Sequence, residues 1–250
     1  MRVFTDLSQW REFQPPELGF VPTMGALHAG HLALVERSRR ENQATLVSIF
    51  INPTQFDNPQ DLAAYPHDLA ADALLLEQAG VDYLLAPNAE QMYPMGYRHR
   101  ILESTDSLLL CGAHRPGHFD GMLTVVMKLL QLARARRAYF GEKDFQQLLL
   151  VRQMVSDFFL PVEIVACPII RESDGLAMSS RNRRLDDKDR HLAARLFEIL
   201  QSPQTLTQIE TDLKQAGFEV DYVEHWKGRR LAAVRLGGVR LIDNIPWEEA

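Results

Sequence analysis

Short apolar runs alternate with longer amphipathic ones along most of the chain. Residues 18–21 read as a strand and 29–42 as a helix, followed by LVSIFI (46–51), which is apolar enough for a strand buried on both faces. A helix over 69–79, closed by Gly80, precedes a strand over 82–85. Further on come a helix at about 121–134, a strand at 138–140, a helix at about 144–158 and a strand at 162–170. Apolar strands separated by helices predict βαβ units, and hence a parallel sheet covered on both sides.

The polar, turn-forming stretch 172–189 breaks that alternation. Past it, the pattern gives helices at about 188–200 and 206–215, then strands at 218–223, 231–235 and 239–242. The expectation is therefore an α/β protein, with a Rossmann-like parallel-sheet domain over residues 1–169 and a smaller α+β domain over 170–250. No internal repeat or low-complexity tract interrupts either part.

Composition narrows the classes. The 250 residues carry 27 Lys+Arg against 33 Asp+Glu, a formal charge of −6, which argues against non-specific coating of nucleic acid or anionic membrane. Cys111 and Cys167 are the only cysteines and form no CxxC, so neither a thiolate zinc cluster nor a disulfide framework is expected. The start, MRVFTDLSQWREF, lacks the apolar core of a leader, and GMLTVVMKLLQLA (121–133) is cut by Lys128 and too short to span a bilayer. A soluble, cytoplasmic protein is expected.

Five segments can carry chemistry. PTMGALHAGH (22–31) places a strand end, a tight turn at Gly25 and a helix start together, where free N–H groups suit a phosphate. His28 and His31 lie three apart and can face the same way. Alone, such a pair would more readily cap the helix or supply half a metal site, but strand, turn, glycines and helix together favour a ligand site. INPTQFDNPQDLAAYPHD (51–68) follows a buried strand, so Asn52 and Gln55 would point into a crevice beyond the strand ends, or else belong to a surface turn. GAHRPGHFDGM (112–122) gathers one Arg and two His before a helix. FGEKDFQQ (140–147) sets Lys143 at a helix start, where the dipole disfavours a cation unless an anion is near, and Gln147 follows one turn later. MSSRNRR (178–184) offers hydroxyls and arginines on a polar loop, a combination suited to polyphosphate.

HAGH after a strand resembles the HIGH signature of the adenylylating nucleotidyltransferase superfamily, and MSSRN resembles its KMSKS loop. In this order and spacing, PTMGALHAGH, NPTQF, FGEKDFQQ and DGLAMSSRN together resemble the pantoate–β-alanine ligase (pantothenate synthetase) family, with RLIDNI (240–245) extending the likeness. The resemblance implies ATP- and Mg²⁺-dependent joining of pantoate to β-alanine through a pantoyl adenylate, with release of pyrophosphate and AMP. It implies an ATP site made of Met24, Gly25, Ala26, Leu27, His28, Ala29, Gly30 and His31, with Gly141, Glu142, Lys143, Asp144, Ile170, Met178, Ser179, Ser180 and Arg181. His28, His31, Lys143 and Arg181 would be catalytic. Gln55 would contact pantoate and β-alanine, Gln147 pantoate, Arg115 the nucleotide or intermediate, and Asp72 would lie near Mg²⁺. A homodimer formed through the first domain is also implied.

The resemblance further implies that the chain is short after residue 200, where VEHWKGRRLAAVRL stands in place of a longer stretch. Rival readings explain less. A cytidylyltransferase accounts for HAGH but leaves NPTQF and FGEKDFQQ unexplained, and a tRNA synthetase would need an anticodon-binding extension. A non-catalytic nucleotide-binding regulator would be expected to lose His31, Lys143 or Arg181. A zinc site from His28, His31, His114 and His118 lacks carboxylate or thiolate partners at sensible spacing.

Overall fold

Six strands build the larger unit: β1 (Arg2–Phe4), β2 (Leu18–Thr23), β3 (Ala44–Ile49), β4 (Tyr83–Leu85), β5 (Arg137–Gly141) and β6 (Glu163–Cys167). All pair in parallel, in the order β1-β4-β3-β2-β5-β6. The central strands are buried almost throughout, with Phe20, Val21, Leu46, Val47, Ala138 and Tyr139 fully enclosed, which is why their sequences are apolar without alternation. The structure, a computed structural model, describes residues 1–13, 15–56 and 59–248. Asp57 and Asn58 of the 51–68 segment lie outside the described residues.

The chain steps outward from β2 to β3 and β4, then returns to place β5 on the other side of β2. That reversal is a topological switch point, and in open α/β sheets ligands bind outside the carboxyl ends of the strands at such a point. The carboxyl ends of β2 and β5 are Thr23 and Gly141, each opening directly into a segment singled out from the sequence.

By its internal contacts the chain divides into two compact units. The first comprises Met1–Gly141 with Gln146–Cys167, and the second Glu142–Phe145 with the chain from Pro168 onward. The second unit is an antiparallel meander of β7 (Glu219–Trp226), β8 (Arg229–Leu236) and β9 (Val239–Pro246). Its two-residue turns, Lys227-Gly228 and Gly237-Gly238, have positive φ at all four positions, the geometry that matches the twist of paired strands. Helices Asp187–Ala193, Arg195–Leu200 and Leu206–Gln215 join it, and Leu196, Leu200, Ile209 and Leu213 form a core with Ala232 and Val234.

Element ends differ from the sequence pattern for local reasons. β6 stops at Cys167 rather than reaching residue 170, because Pro168 has no N–H for the ladder. The helix expected from 144 begins at Phe145, after a 3₁₀ turn over Glu142–Asp144. The helix expected over 188–200 is interrupted at Ala194, whose φ and ψ of −59° and −29° stay helical, so the bonding breaks without a change of backbone conformation. β1 and helix Leu7–Glu12, capped by Asp6 onto the Ser8 amide at 2.7 Å, are too short for periodicity to announce.

Candidate active site

At the end of β2 the chain makes a turn that needs unusual backbone angles: φ is +81° at Gly25 and +50° at Ala26. The turn is held from two sides. Thr23 Oγ1 donates to the Ser48 carbonyl at 2.7 Å and accepts the Gly25 amide at 3.2 Å. Asp72, in the first turn of helix Leu69–Gln78, accepts the amides of Ala26 and Leu27, each at 2.8 Å. A Cβ on Gly25 would come within 2.8 Å of Asp72 Oδ2, so the close approach of carboxylate to turn demands glycine there. Asp72, expected near Mg²⁺, is itself only 4% exposed.

The turn delivers His28 to the N-cap of helix Ala29–Glu41, where its Nδ1 accepts the Gly30 amide at 3.2 Å. An accepting Nδ1 puts the proton of the neutral ring on Nε2. The His28 and His31 rings lie 4.0 Å apart, tilted by 36°. The first turn of this helix carries no acidic residue, so its partial positive charge is not offset from within. Capping, the reading that the sequence context weighed below a ligand site, is nevertheless what His28 does in this structure.

The loop after β3 is fixed by residues from three other places in the first unit. Asn52, buried, donates to the Gly121 carbonyl at 3.0 Å and to Gln55 Oε1 at 3.2 Å, and accepts from the Tyr93 hydroxyl at 2.8 Å. The Gln55 amide nitrogen faces Met24 Sδ, so a pantoate candidate and an ATP candidate are neighbours. Arg115 Nη1 donates to His118 Nε2 at 3.0 Å, which leaves His118 Nδ1–H to donate to the Gln55 carbonyl at 2.7 Å. The third segment therefore positions the second. Gly121 permits this, since a Cβ there would lie 2.1 Å from the Thr54 carbonyl oxygen.

Gln146 and Gln147 divide their work. Gln146 is buried and receives the Cys111 amide at 3.0 Å while donating to the Asp106 and Leu109 carbonyls, both at 2.8 Å. Gln147, on the same helix, is half-buried, and its side chain makes no hydrogen bond to a described residue.

In the second unit, Lys143 Nζ lies 3.2 Å from Asp144 Oδ2, an ion pair on one short turn. Ser179 caps the 3₁₀ segment Ser180–Arg184 by accepting the Arg181 amide at 3.2 Å. Asn182 anchors that segment to Glu172 at 2.8 Å and to the Ala177 carbonyl at 3.1 Å. Arg190 reaches Glu172 and Asp174, each at 2.7 Å. Met178 donates its amide to the Ile170 carbonyl at 3.0 Å. The stretch read as a polar loop is thus closely bonded within its own unit.

Sequence reasoning missed the work of Asp72 on the turn, of His118 on Gln55, and of Tyr93 on Asn52. None of these has a local signal, because each partner lies dozens of residues away. Among the described residues no three His, Cys, Asp or Glu side chains gather as a metal site. No described helix is long and apolar enough to cross a membrane.

Comparison with known proteins extends these observations. A family model described as pantoate–β-alanine ligase matches residues 2–246. The pantothenate synthetase of Legionella pneumophila (strain Lens) is 47% identical over 249 residues, covering 98% of this chain and 99% of the relative. That of Coxiella burnetii (strain Dugway 5J108-111) is 50% identical over 250 residues, with 98% and 97% covered. The crystal structure of pantothenate synthetase from Thermus thermophilus superposes with a TM-score of 0.92 at 42% identity, covering 99% of this chain and 100% of that one. A pantoate–β-alanine ligase from Francisella tularensis, complexed with beta-gamma ATP and β-alanine, gives 0.95 at 40% identity, covering 100% of this chain and 99% of that one. Coverage this complete means that the short C-terminal unit is shared with these relatives.

Proposed function

The chain belongs to the pantoate–β-alanine ligase family and ligates pantoate to β-alanine; we propose that it does so through a pantoyl adenylate made from ATP. A carboxylate oxygen of pantoate attacks the α-phosphorus, and pyrophosphate leaves with the electrons of the broken P–O bond. The amine of β-alanine then attacks the acyl carbon. The acyl C–O bond breaks, AMP departs with that oxygen, and the amine's surplus proton passes to the phosphate or to water. The chain's own residues supply placement and charge.

The observation that carries this reading is the His28–His31 pair, with rings 4.0 Å apart at the start of helix Ala29–Glu41 and beside the switch point. Helix N–H groups and an imidazole N–H suit the oxygens that gain charge as pyrophosphate leaves. His31 acts as proton donor there, and Met24 to Gly30 line the nucleotide. Gln55, its side chain steadied by Asn52 and its backbone by His118, reads pantoate and β-alanine, and Gln147 reads pantoate. Neutral amides suit this task because they can bond to both hydroxyl and carboxylate groups. Gly141, Glu142, Lys143, Asp144, Ile170 and Met178 to Arg181 bind ATP, with Lys143 and Arg181 offsetting phosphate charge. Arg115, whose Nη1 donates to His118 Nε2, helps hold His118 and contributes positive charge for the nucleotide or the intermediate.

Mg²⁺ enters with the polyphosphate as part of the substrate. Asp72 does not fit a resident ion: both oxygens accept backbone amides, and the side chain is too enclosed for a cation that keeps several waters. A homodimer through the first unit is favoured by exposed apolar side chains at Met95, Leu102, Leu108 and Leu109, and light scattering at micromolar concentration tests it. A cytoplasmic location goes with the substrates and awaits fractionation.

The assignment is tested by incubating the protein with ATP, Mg²⁺, pantoate and β-alanine and following AMP and pantothenate. Equal amounts of both, each requiring pantoate, are expected. AMP formation without pantoate, or no pantothenate, overturns it.

A further inference from the structure

RLIDNI, near the end of the chain, entered the family resemblance without any chemistry assigned to it. Its Asp243 and Asn244 lie on β9 and are each 2% exposed. Asn244 Nδ2 donates to two successive carbonyls, of Glu142 at 2.9 Å and of Lys143 at 3.0 Å. Its Oδ1 accepts from Arg229 Nη1 at 2.7 Å, and Nη2 of the same guanidinium reaches Glu142 Oε2 at 2.7 Å. The three residues form a closed ring of charge-assisted and amide hydrogen bonds around the backbone that carries Lys143. Arg229 also lies over the Phe145 ring at 4.7 Å, so the far end of the 142–145 segment is held as well.

The ring leaves Asn244 no second orientation. Flipped, its oxygen would face two carbonyl oxygens and its NH₂ would face a guanidinium. The strand beneath is equally fixed, because Asp243 binds Arg171 through both oxygens, at 2.7 and 2.9 Å. All of these residues belong to the second unit.

We propose that Asn244 is a positioning residue for Lys143. It fixes the main chain at 142–143, so that the long lysine side chain starts from one place. The inference rests on the role given to Lys143 above. A group that must meet the charge developing on the reacting phosphates loses effect steeply with displacements near 1 Å.

The test uses the full-length enzyme and two measurements. Single-turnover pyrophosphate release from ATP and pantoate reports adenylation, and prepared pantoyl adenylate with β-alanine reports the second step. Asn244→Ala is expected to slow adenylation on the order of tenfold and to leave the second step unchanged. Lys143→Ala is expected to slow adenylation further, and the double variant to be no slower than Lys143→Ala alone. Multiplying effects, or equal loss in both steps, overturn the proposal. If Lys143→Ala leaves adenylation untouched, the role of Lys143 falls and takes this inference with it, a result that the single variant reports by itself. Should Asn244→Ala fail to fold by circular dichroism, Arg229→Lys, which removes the fork but keeps the charge, goes through the same cycle with the same expectation.

Discussion

Leu27 and Asp72 are 45 residues apart in the chain, yet the Leu27 amide donates to Asp72 Oδ1 at 2.8 Å. With the matching bond from Ala26, this carboxylate ties the helix after β3 to the turn after β2. The geometry of the histidine pair therefore depends on a residue that need touch no substrate.

Asp72→Asn keeps the shape but offers one acceptor oxygen where two amides need one each. A buried amide left unpaired costs about 1–3 kcal/mol. The melting temperature and the rate of pyrophosphate release are expected to fall together, while the Mg²⁺ concentration for half-maximal rate stays that of the parent. A large rise in that concentration would instead make Asp72 a metal ligand.

Gly121→Ala probes the contact between helix His118–Ala133 and the loop that bears Gln55. The added methyl would lie 2.1 Å from a backbone oxygen, which cannot rotate away, so helix and loop must separate. Overpacking of this kind costs about 1–3 kcal/mol. KM for pantoate is expected to rise more than kcat falls, as steady-state kinetics would record. An unchanged KM would mean that Gln55 is placed without the helix.

Tyr139 gives a signature at alkaline pH. Its hydroxyl donates to Glu41 Oε2 at 2.9 Å and accepts from Asn42 Nδ2 at 2.7 Å, and burial pushes its pKa up to about 12 from the ordinary 10.0. Between those values the unfolded chain has lost this proton and the folded chain has kept it. Stability is therefore full below the lower value and declines as pH rises through the window. Tyr139→Phe is expected to remove that decline while costing about 1 kcal/mol at neutral pH. Urea midpoints measured across the window check the slope; an identical slope in the variant assigns the loss elsewhere.

The sequence by itself determined what is local or periodic. The apolar runs beginning at 46 and 138 lay in buried strands, though the first of these strands covers 44–49 rather than 46–51. The amphipathic stretch from 29 was a helix, and Gly25 announced a turn before it. The motifs, by their order, also carried the family. What the tertiary structure decided is which distant groups complete each motif: Asp72 under the turn, His118 and Gly121 behind Gln55, Asn244 behind Lys143. These bonds join residues dozens of positions apart, so no period or spacing encodes them. A buried amide or carbonyl accepts any suitable partner the fold brings within about 3 Å. Which partner arrives is settled by how strands and helices pack, and that is a property of the whole chain rather than of any segment.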